Sequence, residues 1–405
     1  MTKSIAVIGA GTMGSGIAQL AATRGCAVRL IDIDADVLAR AGREITKHLD
    51  RSVEKRRMSA ADRDAALRRI TSDANIDDLD GVELVIEAIV ENLDVKKKVF
   101  AMVERAAPHA AVLATNTSSL SVGKIADGVA DPSRVVGMHF FNPAPIMPLV
   151  EVIASDRSSD AAVDRAFNAA TEWGKTPVRA KDTPGFIVNR VARGFYLEAL
   201  RLLGEGVAGV DEIDSVMKRH GGFRMGPFEL MDLVGLDVNL AVSESVWDQI
   251  DRHPRFTPHD IQRRLVAQGH LGRKTGRGFY AYQHDHPLPA CPVDRRSFQL
   301  NPLLSDALRM FAKRAGATDA TPTEQYVFAR ILSAIINEAG HAYSAGVATS
   351  GDIDTAMIKG TNYPKGPLAW ADEIGHRNVR GLLKNLNRAV DDDRYAPAPL
   401  FANAG

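Results

Sequence analysis

A histidine and a glutamate on successive apolar runs are the first pair in this chain able to move a proton. His139 ends the run 135–138, and Glu151 lies in the run 149–153, beyond the turn Asn142-Pro143-Ala144-Pro145. If that turn folds the second run back antiparallel, the carboxylate stands beside the imidazole. A carboxylate on one ring nitrogen fixes the tautomer and stabilises imidazolium, leaving the other nitrogen as a base near neutral pH. A structural His–Glu hydrogen bond in a core fits the same spacing, and both readings stand on the pattern alone. Ser118, within Asn116-Thr117-Ser118-Ser119, reads either as a donor to a substrate oxygen or as a helix N-cap. Asn189, one turn after Pro184, reads either as a ligand or as a water-facing amide.

The other chemically suggestive stretch is residues 3–18, KSIAVIGAGTMGSGIA. Ser4–Ile8 is a short β-branched run of the kind that forms a buried parallel strand. Gly9, Gly11 and Gly14 follow in GxGxxG spacing, with Thr12 and Met13 inside the turn, and helical periodicity begins at Met13. Such glycines permit the turn and let backbone approach a pyrophosphate, while the helix N-terminus offers N–H groups to it. A lone GxGxxG is weak, but a second strand at 28–33 brings Asp32 to the spacing of a ribose-binding acid. No arginine follows Asp32, which points to NAD rather than NADP.

These groups need a scaffold. Strands at 82–88, 110–114, 134–141, Leu149–Ala154 and 178–180 alternate with helices at 35–57, 63–70, 94–107 and 160–173. That alternation predicts an open, mostly parallel sheet, with ligands at the carboxyl ends of its strands. The glycine turn, the segment after Glu87 and residues 116–119 all fall at that rim. In the helix 35–57, Lys47, Arg51 and Lys55 form a basic row, extended by Arg56 and Arg57, which by pattern alone is a solvated face. At Asp182-Thr183-Pro184 a capping residue followed by proline predicts a helix running to residue 204. Strand signals then give way to helices at 211–220, 227–234 and 236–250.

A shift of 140 residues aligns Arg190 with Arg330, Glu198 with Glu338, Ile213-Asp214 with Ile353-Asp354 and Gly226-Pro227 with Gly366-Pro367. Asp232 and Gly235 meet Asp372 and Gly375 at the same shift, and Arg255-Phe256 meets Arg394-Tyr395 one residue out of step. The expected domains are therefore a dinucleotide-binding domain at 1–183 and a helical domain at 184–283. A proline-bearing linker at 284–320 and a second helical copy at 321–405 follow. Two like helical units in one chain can pack as the halves of a two-fold dimer.

Composition narrows the function classes. The chain has 405 residues, 45% hydrophobic and 25% charged, with a formal net charge of zero, so neither nucleic acid nor an anionic membrane is an expected partner. Cys26 and Cys291 have no metal-ligand spacing, so no metal is expected and a reducing compartment fits. Lys3 before an apolar run imitates a signal peptide, but Gly9, Gly11, Gly14 and Gly16 interrupt it. No stretch approaches the roughly 20 apolar residues of a membrane span, and a cytoplasmic protein is expected.

From residue 1 to about 282 the sequence resembles the 3-hydroxyacyl-CoA dehydrogenase family. The resemblance is carried, in order, by GAGTMGSGIA, Glu87-Ala88-Ile89-Val90-Glu91 with Lys96, NTSSLS from Asn116, and HFFNPAPIMPLVEV from His139. DTPGFIVNR ending at Arg190, MGPFEL from Met225 and GRKTGRGFY from Gly272 complete it. It implies an α/β Rossmann-type NAD-binding domain followed by two homologous all-α domains, like the C-terminal domain of 6-phosphogluconate dehydrogenase. The implied reaction is NAD-dependent oxidation of a short-chain L-3-hydroxyacyl-CoA, such as 3-hydroxybutyryl-CoA, to the 3-oxoacyl-CoA.

By resemblance His139 is the general base, Glu151 orients it, and Ser118 and Asn189 bind the 3-oxygen and neighbouring acyl group. Asp32 takes the adenosine ribose, Glu91, Lys96 and Asn116 lie along the nicotinamide half of NAD, and Lys55 falls where the family binds the CoA nucleotide. Arg224 replaces the proline usual before Met225. In the second copy Ala329 replaces Asn189 and Glu324-Gln325 replaces Pro184-Gly185, so that copy is expected to have lost any substrate role. Its expected part is an intramolecular pseudo-dimer, as in two-repeat members that include 3-hydroxyadipyl-CoA dehydrogenases, with a further homodimer left open. Two rivals remain: a dehydrogenase of a free hydroxy or sugar acid, resembling crystallin relatives with gulonate activity, and a non-catalytic nucleotide-binding protein.

Overall fold

Short apolar runs in the first part of the chain pair into one sheet, with strand order β3-β2-β1-β4-β5-β6-β7-β8. The strands are β1 (Ser4–Ile8), β2 (Ala27–Ile31), β3 (Ile70–Asp73), β4 (Leu84–Glu87), β5 (Val112–Thr115), β6 (Val135–Phe140), β7 (Leu149–Ala154) and β8 (Thr176–Lys181). In this computed structural model the described residues are 2–282, 286–295, 299–390 and 393–402. The chain divides into two units, Met1–Phe186 and Ile187–Gly405. The domain boundary expected at 283–284 lies outside the described residues.

In the first unit the helices are α1 (Thr12–Thr23), α2 (Ala35–Glu54), α3 (Ala60–Arg68), α4 (Leu93–Ala106), α5 (Val122–Ala126) and α6 (Asp160–Glu172). Side chains that would compete with the backbone elsewhere start all of these but α1, which opens on Gly11. Asp34 accepts from the N–H groups of Asp36 and Val37 to open α2, and Asn92 accepts from that of Val95 to open α4. All neighbouring strands are parallel except β6 and β7, which run antiparallel with His139 opposite Glu151. The order reverses between β1 and β4, so the crevice where parallel-sheet proteins bind ligands opens at the ends of these strands.

Three expectations need correction. Ile70 belongs to β3, not to a helix: α3 stops at Arg68, and Ile70 pairs with Val28. The basic row ends with α2, because Lys55 is its capping residue and Arg56 turns left-handed at φ 55°. Finally, Asp182 caps no helix at Pro184. Its carboxylate accepts from the Ser121 hydroxyl and the Gly123 N–H, both at 2.7 Å. Gly185 and Phe186 are left-handed, and the helix begins only at Val188.

The second unit is almost wholly helical. Its first part contains α7 (Val188–Val191), α8 (Arg193–Gly204), α9 (Val210–Gly221), α10 (Pro227–Val234), α11 (Leu236–Gln249) and α12 (Asp260–Ala267). A small hairpin of β9 (Tyr280–Ala281) and β10 (Leu288–Pro289) leads on to α13 (Ser305–Arg314). Then α14 (Pro322–Ser344), α15 (Ser350–Thr361), α16 (Pro367–Ile374), α17 (His376–Val390) and α18 (Pro399–Ala402) follow. The helices α9, α10 and α11 begin at Val210, Pro227 and Leu236, and α15, α16 and α17 begin 140 residues later, at Ser350, Pro367 and His376.

The repeats also pack on each other reciprocally. Arg190 donates to Glu338 at 2.6 Å, and Arg330, its counterpart, donates to Glu198 at 2.6 Å. Burial pushes the Glu198 carboxyl up, but Arg330 and Arg201 overcome it and bring the group down to about 2. At Gly194 α8 crosses α14 so closely that a Cβ would stand 2.9 Å from backbone atoms of Ala334 and Ile335.

Candidate active site

The glycine turn leaves β1 with Gly9 at φ 100°, where a Cβ would lie 2.6 Å from the Ala88 carbonyl oxygen. Gly14 must also stay bare, since its Cβ would meet the Gly9 carbonyl oxygen at 1.7 Å. Gly11 differs: nothing lies within 4 Å of where its Cβ would stand. That open flank, followed by the first N–H groups of α1 at Thr12, Met13 and Gly14, is a cradle of the kind that receives a dinucleotide phosphate. Asp32, just beyond β2, ties itself to the turn. Its carboxylate accepts from the N–H of Ala10 at 2.8 Å and from that of Asp34 at 3.1 Å.

At the ends of β4 and β5 a buried acid organises the rim. Glu87 accepts from the Ile89 N–H at 2.7 Å, the Lys96 ammonium at 2.6 Å and the Thr115 hydroxyl at 2.7 Å. Lys96 is only 1% exposed and also stands 3.2 Å from Glu91. Glu91 accepts from the Thr117 hydroxyl at 2.6 Å and from the N–H groups of Ser118 and Ser119 at 3.0 and 3.1 Å. Burial raises the Glu91 carboxyl, but Lys96 and these donors outweigh it and hold the group below its ordinary range. The Asn116 side-chain oxygen accepts from the Phe140 N–H at 2.9 Å, which fastens the end of β5 to β6.

The antiparallel register of β6 and β7 brings His139 Nδ1 within 2.7 Å of Glu151 Oε2. Glu151 is fully buried and His139 is 6% exposed, with the Phe141 ring 4.5 Å and the Phe186 ring 6.0 Å away, centroid to centroid. An ionised carboxylate only accepts, so in the neutral imidazole the proton sits on Nδ1 and Nε2 carries the lone pair.

The structure thus gathers Asp32 with the turn, Glu91 and Lys96 with Ser118, Asn116 with β6, and His139 with Glu151. Asn189 belongs to the helical unit, on α7. Lys55 is exposed at the end of α2; an open groove along that helix is lined by Arg43, Lys47 and Arg51 together with Asp50 and Glu54, and Lys55 is not among its lining residues. Glu87, Thr115 and Thr117 carry no role in the sequence reading. The signal for Glu87 is an acid placed at the C-terminal end of an otherwise unbroken apolar strand.

Comparison with known proteins bears on the whole chain. Residues 4–183 match the model of the 3-hydroxyacyl-CoA dehydrogenase NAD binding domain. Residues 185–282 and 326–404 match that of the 3-hydroxyacyl-CoA dehydrogenase C-terminal domain. The 3-hydroxyadipyl-CoA dehydrogenase of Escherichia coli (strain K12) is 36% identical, the alignment covering 98% of this chain and 96% of that one. A crystal structure of 3-hydroxybutyryl-CoA dehydrogenase from Escherichia coli K12 superposes with a TM-score of 0.88 at 36% identity, covering 99% of this chain and 98% of that one. The rat mitochondrial hydroxyacyl-coenzyme A dehydrogenase is 41% identical over 70% of this chain and 92% of its own length.

Proposed function

The chain belongs to the 3-hydroxyacyl-CoA dehydrogenase family of NAD-dependent enzymes, and on that premise we propose that it oxidises a short-chain L-3-hydroxyacyl-CoA, such as 3-hydroxybutyryl-CoA, with His139 as the base. The observation that carries this reading is the His139–Glu151 pair at 2.7 Å. NAD, when bound, supplies the hydride acceptor. His139 takes the substrate hydroxyl proton at Nε2, while Glu151 holds the Nδ1 proton in place and stabilises the imidazolium. Ser118 and Asn189 bind the acyl substrate around its 3-oxygen, where charge changes in the transition state.

Gly9, Gly11, Thr12, Met13 and Gly14 receive the pyrophosphate, and Asp32 the adenosine ribose. Glu91 and Asn116 serve the nicotinamide half. Lys96, held by Glu87 and Glu91, acts on the cofactor through Glu91 rather than by its own contact. Lys55 serves the CoA nucleotide. We assign 1–183 to cofactor, 184–283 to substrate, 284–320 to linkage and 321–405 to packing. The reciprocal Arg–Glu pairs support the last assignment, an intramolecular pseudo-dimer.

The test is His139→Gln, assayed by NADH formation over a ladder of 3-hydroxyacyl-CoA lengths with a dicarboxylic member and free hydroxy acids included. Turnover should fall by about 10²–10⁴ while NADH still binds. Near-normal turnover in that variant removes His139 from the role, and a preference for free acids removes CoA from the substrate.

A further inference from the structure

The first helical copy buries a chain of polar groups that the second does without. Arg193, on the first turn of α8, is 3% exposed. Its Nε donates to the Asn189 carbonyl at 3.0 Å, and its Nη1 donates to the Asn239 carbonyl at 3.0 Å and the Ser243 hydroxyl at 2.7 Å on α11. From α12, Gln262 Nε2 donates to the Asn239 side-chain oxygen at 3.0 Å and to the Leu236 carbonyl at 3.1 Å. The guanidinium lies 4.9 Å from the Tyr196 ring centroid. Among the described residues every hydrogen-bond acceptor of Arg193 is neutral, and burial brings the group down to about 10. A buried cation without a counter-charge opposes folding.

The helical fold does not require it. At the 140-residue offset the second copy has Ser333, Val379 and Leu383, all fully buried, in place of Arg193, Asn239 and Ser243. Its leading helix α14 runs unbroken, whereas the first copy breaks at Ala192 between α7 and α8. Asn189 becomes Ala329 in the same copy. The asparagine, the helix break and the buried arginine are therefore present together and absent together.

We propose that Arg193 is a positioning residue for substrate binding, fastening the Asn189 carbonyl to α11 and so fixing the turn of α7 that presents the Asn189 amide. The inference rests on the substrate role assigned to Asn189 above. The Arg193 Nε–H bond falls on the Asn189 carbonyl, within the short turn of α7. A guanidinium fork bonds two elements at once, so rotation of α7 is resisted by its bonds to α11. Misplacing a substrate-binding group by about 1 Å is worth up to about 10²-fold in rate.

The test is a double-mutant cycle on the full chain, with NAD-linked oxidation of 3-hydroxybutyryl-CoA as the readout. Arg193→Met should lower kcat/KM by about 10–100-fold with NADH affinity unchanged. In an Asn189→Ala background the same change should cost less than about 2-fold, because the group it positions is gone. An equal loss in both backgrounds overturns the inference and leaves the proposed function standing. Full turnover in Asn189→Ala alone overturns the role of Asn189, and this inference with it.

If Arg193→Met does not fold, Ser243→Ala, which removes one anchor, takes its place in the cycle. Grafting the second copy's residues, Arg193→Ser with Asn239→Val and Ser243→Leu, should leave cooperative unfolding intact and lose activity to the same degree. A fully active graft overturns the proposal.

Discussion

The two helical copies are one fold under two sets of demands. Where they agree, the shared residues hold the fold. Asp214 accepts from the N–H groups of Phe228 and Glu229 at the start of α10, and Asp354 accepts from those of Leu368 and Ala369 at the start of α16. Gly226 and Gly366 make room for these carboxylates, since a Cβ at either would come within 2.3 Å of the aspartate. The reciprocal pairs Arg190–Glu338 and Arg330–Glu198 likewise belong to both. Where the copies differ, the trade runs both ways: Asn239 and Ser243 of the first copy meet Val379 and Leu383, Asn337 and Tyr395 of the second meet Leu197 and Phe256, and one shared aspartate changes its exposure. Asp232 is buried and accepts from the N–H groups of Phe279 and Tyr280, both at 2.9 Å, whereas Asp372 is exposed and faces His376 at 3.0 Å. Agreement marks what packing needs, and divergence shows where the two copies solve packing differently.

The largest effect should come from the shared pairs. Glu198→Gln takes the buried carboxylate from Arg330, which keeps only its pair with the half-exposed Glu205, and should destabilise the helical unit by up to about 3–5 kcal/mol in denaturant unfolding. Glu338→Gln should behave alike, and a neutral result in only one of them would end the case for equivalence. Because Glu198 titrates at about 2 in the fold against an ordinary 4.5, its contribution is full above pH 4.5 and is lost as pH falls toward 2. The glutamine variant should flatten that acid limb.

Next comes Asn189→Ala, expected to lower kcat by about 10²–10³, the loss typical of one donor to a developing oxyanion. Ala329→Asn, in the second copy, should change nothing in steady-state kinetics; a gain or loss there means that this copy still touches substrate. Smallest is the Asp232 and Asp372 contrast. Asp232→Ala leaves buried N–H groups unsatisfied and should cost about 1–3 kcal/mol. Asp372→Ala should leave the melting temperature unchanged, and equal losses would mean that burial is not what separates them.

Much of this is written in the sequence. β1 and β7 are bounded by punctuation that periodicity reads directly, and the turn at Asn142-Pro143 announces the antiparallel return that sets His139 opposite Glu151. The repeat shows in residue identities alone. Other features escape because they depend on distant partners. β3 is four residues, ITSD, with one apolar side chain, and becomes a strand only by pairing with β2. Asp182 looks like a helix cap but serves Ser121 and Gly123. The break at Ala192 has no glycine or proline to mark it, and an arginine on a helix reads as surface until its neighbours are known. Glu87 carries no role in the sequence reading until β4 and α4 bring it against Lys96.

The ring beside Glu198 comes from Tyr395, whose hydroxyl donates to it, while the matching position on the other side, next to Arg255 and its partner Glu338, is Phe256. In an assembly of identical subunits a codon change is written on both sides of the axis at once, so such lopsided trimming is out of reach. A tandem gene lifts that constraint. One half can drift toward pure scaffolding while the other stays answerable to its substrate.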